Sequence, residues 1–386
     1  MSLVDLDLAA ARAGRIDCVC DLPAGEGPED RAGAERNEIE REEIEREETW
    51  RLSLSFGLAV LAQALLLAVL PIAGAVIATR PSLANLPYAL TLLGAALASL
   101  PASLLLDRFG RRAAFALGAS LGTAGGLLAG WAAMSRHFPE LCVGALWLGM
   151  AQGFALFYRH AAAMVPGRGS RAALSVLAGG CVASLAVPAT IALARYGAGP
   201  YADAALMLVA GLASLAALPL MLSLPRRLAA PMTPGRERGS STSFWIATAA
   251  GAFAWFSMAH VMAGAPSALI GCGLGVIAMG GLVSWHLIAM YGPMALVTRR
   301  REMLPTPLMT GAGLALLGLA IAMPREDAVT IELLLILGGV GWSLVQIGAS
   351  RLLYDEGVRS RLAFALHDVA ILGAALLGAS SAIVRA

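Results

Sequence analysis

The chain has 386 residues, 58% of them hydrophobic and only 14% charged, with a mean hydropathy of +0.73. Soluble domains carry about 45–50% apolar and about 25% charged residues, so the composition excludes an ordinary soluble enzyme or a nucleic-acid binder and indicates a polytopic membrane protein surrounded by lipid. The net charge of +2 hides an asymmetry, because 15 of the 26 acidic residues precede Arg51.

Residues 1–51 form a polar, acidic tail read as cytoplasmic. It lacks the basic-then-apolar pattern of a cleavable signal, so the first membrane helix is expected to serve as the insertion signal. The near-repeat from Glu38 to Glu48 sets Glu and Arg at helical spacing, as in a solvated helix or a partner-docking arm. Cys18 and Cys20 in this tail are a weak soft-metal pair, and the five cysteines show no disulfide framework.

From Leu52 onward apolar stretches of about 20 residues recur, each long enough to cross ~30 Å of hydrocarbon. They predict spans at 53–78, 84–106, 113–134, 138–158, 171–195, 201–223, 243–264, 275–297, 304–323, 330–352 and 362–384, eleven in all. Arginines crowd alternate loops, at Arg108, Arg111 and Arg112, at Arg159, Arg168 and Arg171, and at Arg299, Arg300 and Arg301. By the positive-inside rule those loops and the N-terminus face the cytoplasm of a multi-pass membrane protein.

A shift of 192 residues superposes Asp107-Arg108 on Arg299-Arg300 and Tyr158-Arg159 on Ser350-Arg351. This weak repeat implies an N-terminal six-helix bundle over 52–223, a cytoplasmic linker over 224–242 and a C-terminal bundle over 243–386. The same shift calls for a twelfth helix that the sequence does not supply.

Leu106-Asp107-Arg108-Phe109-Gly110-Arg111-Arg112 lies between the second and third predicted spans. It resembles the signature loop of the major facilitator superfamily, with its Asp-Arg-x-Gly-Arg-Arg core. Ser103 stands where that family usually has a glycine. The resemblance implies a two-bundle all-α fold with 6 + 5 visible helices and assigns gating to Asp107, Arg108, Gly110, Arg111 and Arg112, where Asp107 can pair with arginines and steady one gate state. Tyr158-Arg159 through Pro166 resembles the fourth-to-fifth helix junction of the same superfamily, which assigns Arg159 to orientation and gating.

Two further pairs narrow the function. Met258 and Met262 lie four apart in the seventh predicted span, and His286 and Met290 four apart in the eighth. Residues four apart share a helix face, so adjacent helices can offer three thioethers and one imidazole to a shared cavity, a donor set suited to Cu(I). Methionine pairs are more often packing, whereas a histidine within hydrocarbon tends to face a cavity or a partner. The two pairs resemble those of the CcoA-like copper importers, a branch of the superfamily that supplies copper for assembling cbb-type cytochrome oxidases.

His260, Cys272, Met279 and Met294 are secondary metal candidates along the same stretch. His367 and Asp368 are candidates for proton coupling or for capping the last span, and Gln63, Gln152 and Gln346 read as bridges between helices. Nothing resembles a nucleotide-binding P-loop. The resulting expectation is a secondary transporter rather than an enzyme, with copper as cargo, no permanent cofactor, membrane lipid as surroundings and a cytoplasmic copper acceptor as a possible partner. An organic-solute or drug transporter of the same fold and a non-transporting assembly factor are the alternatives.

Overall fold

The computed structural model describes residues 28–165, 168–225, 238–273, 276–299, 304–324 and 327–385. They fall into two compact units, Met1–Glu47 and Glu48–Ala386. The described part of the first is helical, and Arg36, Glu40, Glu43, Arg46 and Glu47 are exposed on it. Cys18 and Cys20 lie outside the described residues.

The helices are α1 (Pro28–Ile77), α2 (Leu86–Ser135), α3 (Phe138–Ala163), α4 (Gly169–Ala178), α5 (Cys181–Ala198), α6 (Ala202–Leu222), α7 (Ser241–Gly271), α8 (Val276–Arg299), α9 (Thr306–Ala322), α10 (Ala328–Tyr354) and α11 (Arg361–Arg385). Proline opens several of them: Pro87, Pro139 and Pro307 sit in first turns, where the absent N–H would have no intrahelical acceptor. Arg136 ends α2 in the left-handed region at φ 58°. Asp327 caps α10, its carboxylate accepting from Thr330 N at 2.8 Å and from Thr330 Oγ1 at 2.7 Å. Burial of this carboxylate is negligible, and these two hydrogen bonds hold it below the usual carboxylate range.

The expected eleven separate spans are not found. Among the described residues eight helical stretches are long and apolar enough to cross a membrane. The predicted spans 84–106 and 113–134 fall in one stretch, Pro81–Ser135, and 171–195 and 201–223 fall in another, Gly169–Leu222. Within α2 only Gly110 leaves helical geometry, at φ 79°, ψ 173°, a conformation open to glycine and strained for other residues. The predicted span at 304–323 shortens to Thr306–Ala322, 17 residues, or about 26 Å of helix, less than the hydrocarbon thickness. The discrepancy has a physical cause: the interruptions are too short to separate the helices, a kink at Gly110 in the first stretch and the two-residue break Gly179–Gly180 and the single 3-10 turn Gly199–Tyr201 in the second.

One feature is not helical. Arg238–Gly239 (β1) pairs antiparallel with Gly357–Val358 (β2), so the end of the predicted linker is tied to the turn before α11. Elsewhere the helices meet through small residues. A Cβ on Gly144 of α3 would fall 2.7 Å from the backbone nitrogen of Ala129 in α2, so only glycine admits that approach.

Candidate functional site

α7 presents Trp255, Met258, Ala259 and Met262 on one face, and α8 presents Val283, His286, Leu287, Met290 and Tyr291. Both sets follow the three-and-four spacing of a helix face. Val60, Gln63, Ala64 and Leu67 of α1, Tyr88 and Leu92 of α2, and Ala375 of α11 complete the lining of a single cavity. The cavity is partly open, and its free volume is about 50 Å³.

All four principal metal candidates therefore line one cavity. Met262, Met290 and His286 are 5%, 4% and 2% exposed, and Met258 is half-buried. His286 Nδ1 lies 2.6 Å from the carbonyl oxygen of Leu335. A carbonyl only accepts, which assigns the ring proton to Nδ1 and leaves the Nε2 lone pair free. Nε2 is buried and has no hydrogen-bond partner. A metal-binding histidine has this arrangement, with one nitrogen oriented by a backbone carbonyl and the other left to coordinate. Gly339 keeps the seat of the ring narrow, since a Cβ there would stand 2.8 Å from Ala289 Cβ and 2.9 Å from His286 O.

Aromatic rings form the remaining wall, which the sequence reading did not single out. Trp255 and Tyr291 each meet Trp342 edge-to-face, at 5.5 and 5.7 Å between centroids. Trp255 Nε1 is buried without a partner, leaving a donor in the same lining as the soft acceptors. Among the described residues no group of three or more His, Cys, Asp or Glu stands ready to hold a metal, so any metal here relies on the thioethers.

Of the secondary candidates, His260, Cys272 and Met294 do not line this cavity. His260 Nδ1 pairs with Ser381 Oγ at 2.9 Å, and its ring stacks on Phe256; it ties α7 to α11. Met294 is wholly buried in the apolar core. Cys272 is a free, exposed thiol beyond the end of α7. The side chain of Met279, on α8, lies outside the described residues.

A second buried polar cluster joins distant parts of the chain. Asp368 of α11 accepts from Arg159 NH2 at 2.5 Å and pairs with His160 Nε2 at 3.0 Å, both on α3. Arg159 also donates to Gln346 Oε1 at 3.3 Å, and the Tyr354 hydroxyl meets His160 Nδ1 at 2.8 Å. Asp368 and His160 are 0% exposed and Arg159 is 2% exposed. Seven residues into its helix, Asp368 is far from the N-cap, and His367 beside it bonds Thr248 Oγ1 at 2.9 Å. His160 was missed at the sequence level, although the cost of a ring in hydrocarbon that singled out His286 applies to it equally.

The model of the Major Facilitator Superfamily matches residues 52–379. The chain belongs to the Major Facilitator Superfamily. Within this superfamily it is similar to the riboflavin transporter RfnT of Brucella anthropi, 31% identical over 294 residues, covering 73% of this chain and 74% of that protein. Its fold is similar to the xylose transporter XylE from E. coli, solved in a partially occluded inward open conformation, with TM-score 0.65, 15% identity and coverage of 88% and 92%. It is also similar to the human organic anion transporter MFSD10, with TM-score 0.59, 16% identity and the same coverages. It is thus a secondary transporter with multiple membrane spans.

The superfamily loop has a defined geometry here. Asp107 pairs with Arg361 at the start of α11, and Arg111 NH1 lies 3.4 Å from Glu48 Oε2. Arg108 lies over the ring of Phe109, 6.0 Å from its centroid. Gly110 makes the turn, and Arg112 is half-buried beside it. At the same end Asp355 accepts from Ser170 N at 2.8 Å and from Ser170 Oγ at 2.6 Å.

Proposed function

We propose that this transporter imports copper, as Cu(I), across the bacterial inner membrane by alternating access, with its N-terminus and the Asp107 loop on the cytoplasmic side, for delivery to a cytoplasmic acceptor and cytochrome oxidase assembly. One observation carries the reading: Met258, Met262, Met290 and the unpartnered Nε2 of His286 line a single cavity. Thioether and neutral imidazole bind Cu(I) without adding a negative charge, so the ion is selected and still able to leave. Burial of His286 keeps water from hydrogen-bonding its free Nε2. The free volume of about 50 Å³ suits an ion better than an organic molecule, for which sites begin near ~300 Å³.

A second reading has its own support. The relative RfnT is a riboflavin transporter, and the wall of Tyr88, Trp255 and Tyr291 is suited to stacking on a flat heteroaromatic ring. In that reading Trp255 Nε1 and His286 Nε2 would be the donor and the acceptor for the ring edges, and the cleft would have to widen.

Copper uptake in cells expressing the chain separates the two. With Met262→Leu or His286→Ala, uptake is expected to fall at least about tenfold, the scale of a lost metal contact, while riboflavin uptake stays at background. Copper uptake unchanged in both variants, or riboflavin uptake that depends on Trp255, would overturn the copper reading.

A further inference from the structure

We infer that the groove where α1, α2 and α6 meet, at the end of the bundle opposite the Asp107 loop, binds the headgroup of an anionic phospholipid, with Arg136 holding its phosphate. The inference does not depend on which cargo is carried.

The helix ends fix where the groove lies. Glu48 meets Arg111 beside the Gly110 kink, so the apolar part of α1 begins at the Asp107 end and Ile77 closes it at the other. α2 leaves the same kink and stops at Ser135, and α6 starts at Ala202. There a partly open cavity has a free volume of about 360 Å³, large enough for a small ligand or a headgroup. Its lining is of two kinds: Val76, Ile77 and Met134 are apolar, and Arg136, Tyr201 and Asp203 are polar.

The charges of this end can be paired off one by one. Asp203 accepts from Arg195 NH2 at 2.6 Å, and Glu140 pairs with His137 at 3.6 Å. Among the described residues no side chain pairs with the guanidinium of Arg136. Two cations thus face one anion around the groove, and the one left over is in its lining. Arg136 is also the sole non-glycine residue with positive φ among the described residues, at 58°. A glycine would end α2 there without strain, and strained residues gather at ligand clamps.

The surroundings select a lipid over a soluble phosphate. Trp131, Tyr196 and Tyr201 are exposed at this end, as in the aromatic belt that sits at headgroup level. Val76 and Met134 are exposed as well; a soluble anion would leave them in water, whereas an acyl chain would cover them. The planar fork of a guanidinium matches two phosphate oxygens at once, and the Tyr201 hydroxyl is a further donor in the same lining. The unanswered positive charge favours a headgroup of net negative charge, phosphatidylglycerol, over zwitterionic phosphatidylethanolamine.

Native mass spectrometry of the full-length protein in detergent, offered the two lipids in equal amounts, tests this. Wild-type protein is expected to retain phosphatidylglycerol over phosphatidylethanolamine by about fivefold, the scale of one arginine at an anionic headgroup. Arg136→Gly removes the guanidinium and relieves the backbone, and is expected to lose the preference. Arg80→Ala, at an exposed arginine of the same end outside the groove lining, is expected to keep it. Glycerol 3-phosphate, which has the phosphate without acyl chains, is expected not to displace the lipid at millimolar concentration. Equal retention of both lipids by the wild type would overturn the inference, as would an Arg136→Gly protein with the wild-type preference. Displacement by glycerol 3-phosphate would overturn it too, by marking a site for a soluble phosphate. The wild-type comparison and the competition decide even if the variant fails to fold. Neither copper nor riboflavin is present, so the outcome is separate from that of the copper proposal.

Discussion

Whether His286 is a ligand or a packing residue depends on which of its nitrogens is already engaged. The Leu335 carbonyl engages Nδ1, and the second nitrogen is buried with nothing to bond. A buried unpaired acceptor costs about 1–3 kcal/mol, a cost that a bound ion removes. The narrow fit at Gly339 makes the ring position sensitive to a single methyl. Gly339→Ala is expected to push α10 from α8, destabilising the fold by about 1–3 kcal/mol and weakening copper uptake; thermal unfolding in detergent and uptake in cells measure the two effects. The four principal ligand candidates were legible in the sequence because helical spacing alone brings Met258 next to Met262 and His286 next to Met290. Their convergence on one cavity was not, since spacing within a helix says nothing of how two helices rotate toward each other. The aromatic wall was illegible for the same reason: Trp255 and Tyr88 look like ordinary interior residues until their partners are known, whereas Arg159, Gln346 and Asp368 of the buried cluster were each singled out and only their pairing, and His160, were not.

At the level of elements, the sequence located the apolar segments well and their ends poorly. Pro81–Ser135 and Gly169–Leu222 run on through positions where arginine, glycine or proline marks a boundary in composition. The N-terminus of α10 is a simpler case, where one capping residue defines the start. Asp327 is charged and doubly hydrogen-bonded in the folded state, with its proton affinity held down by those bonds. Its contribution is therefore complete above the ordinary carboxylate range and is lost as pH falls through its lowered folded-state value. Hydrogen exchange is expected to run faster in the first turn of α10 in Asp327→Ala at neutral pH, and the difference from wild type is expected to vanish in strong acid. An unchanged exchange rate at neutral pH would show that tertiary packing alone holds that end.

For the whole molecule, membership of the Major Facilitator Superfamily accounts for the architecture but leaves the cargo to the cavity. Similarity to a riboflavin transporter and a lining of soft donors point in different directions, and metal content distinguishes them without a transport assay. Purified protein loaded under reducing conditions and then stripped of loose metal is expected to retain about one Cu(I) per chain, as a single three-thioether, one-imidazole site would. Met262→Leu combined with His286→Ala is expected to retain none. Wild-type protein that is folded but free of copper, and that binds riboflavin saturably instead, would contradict the account.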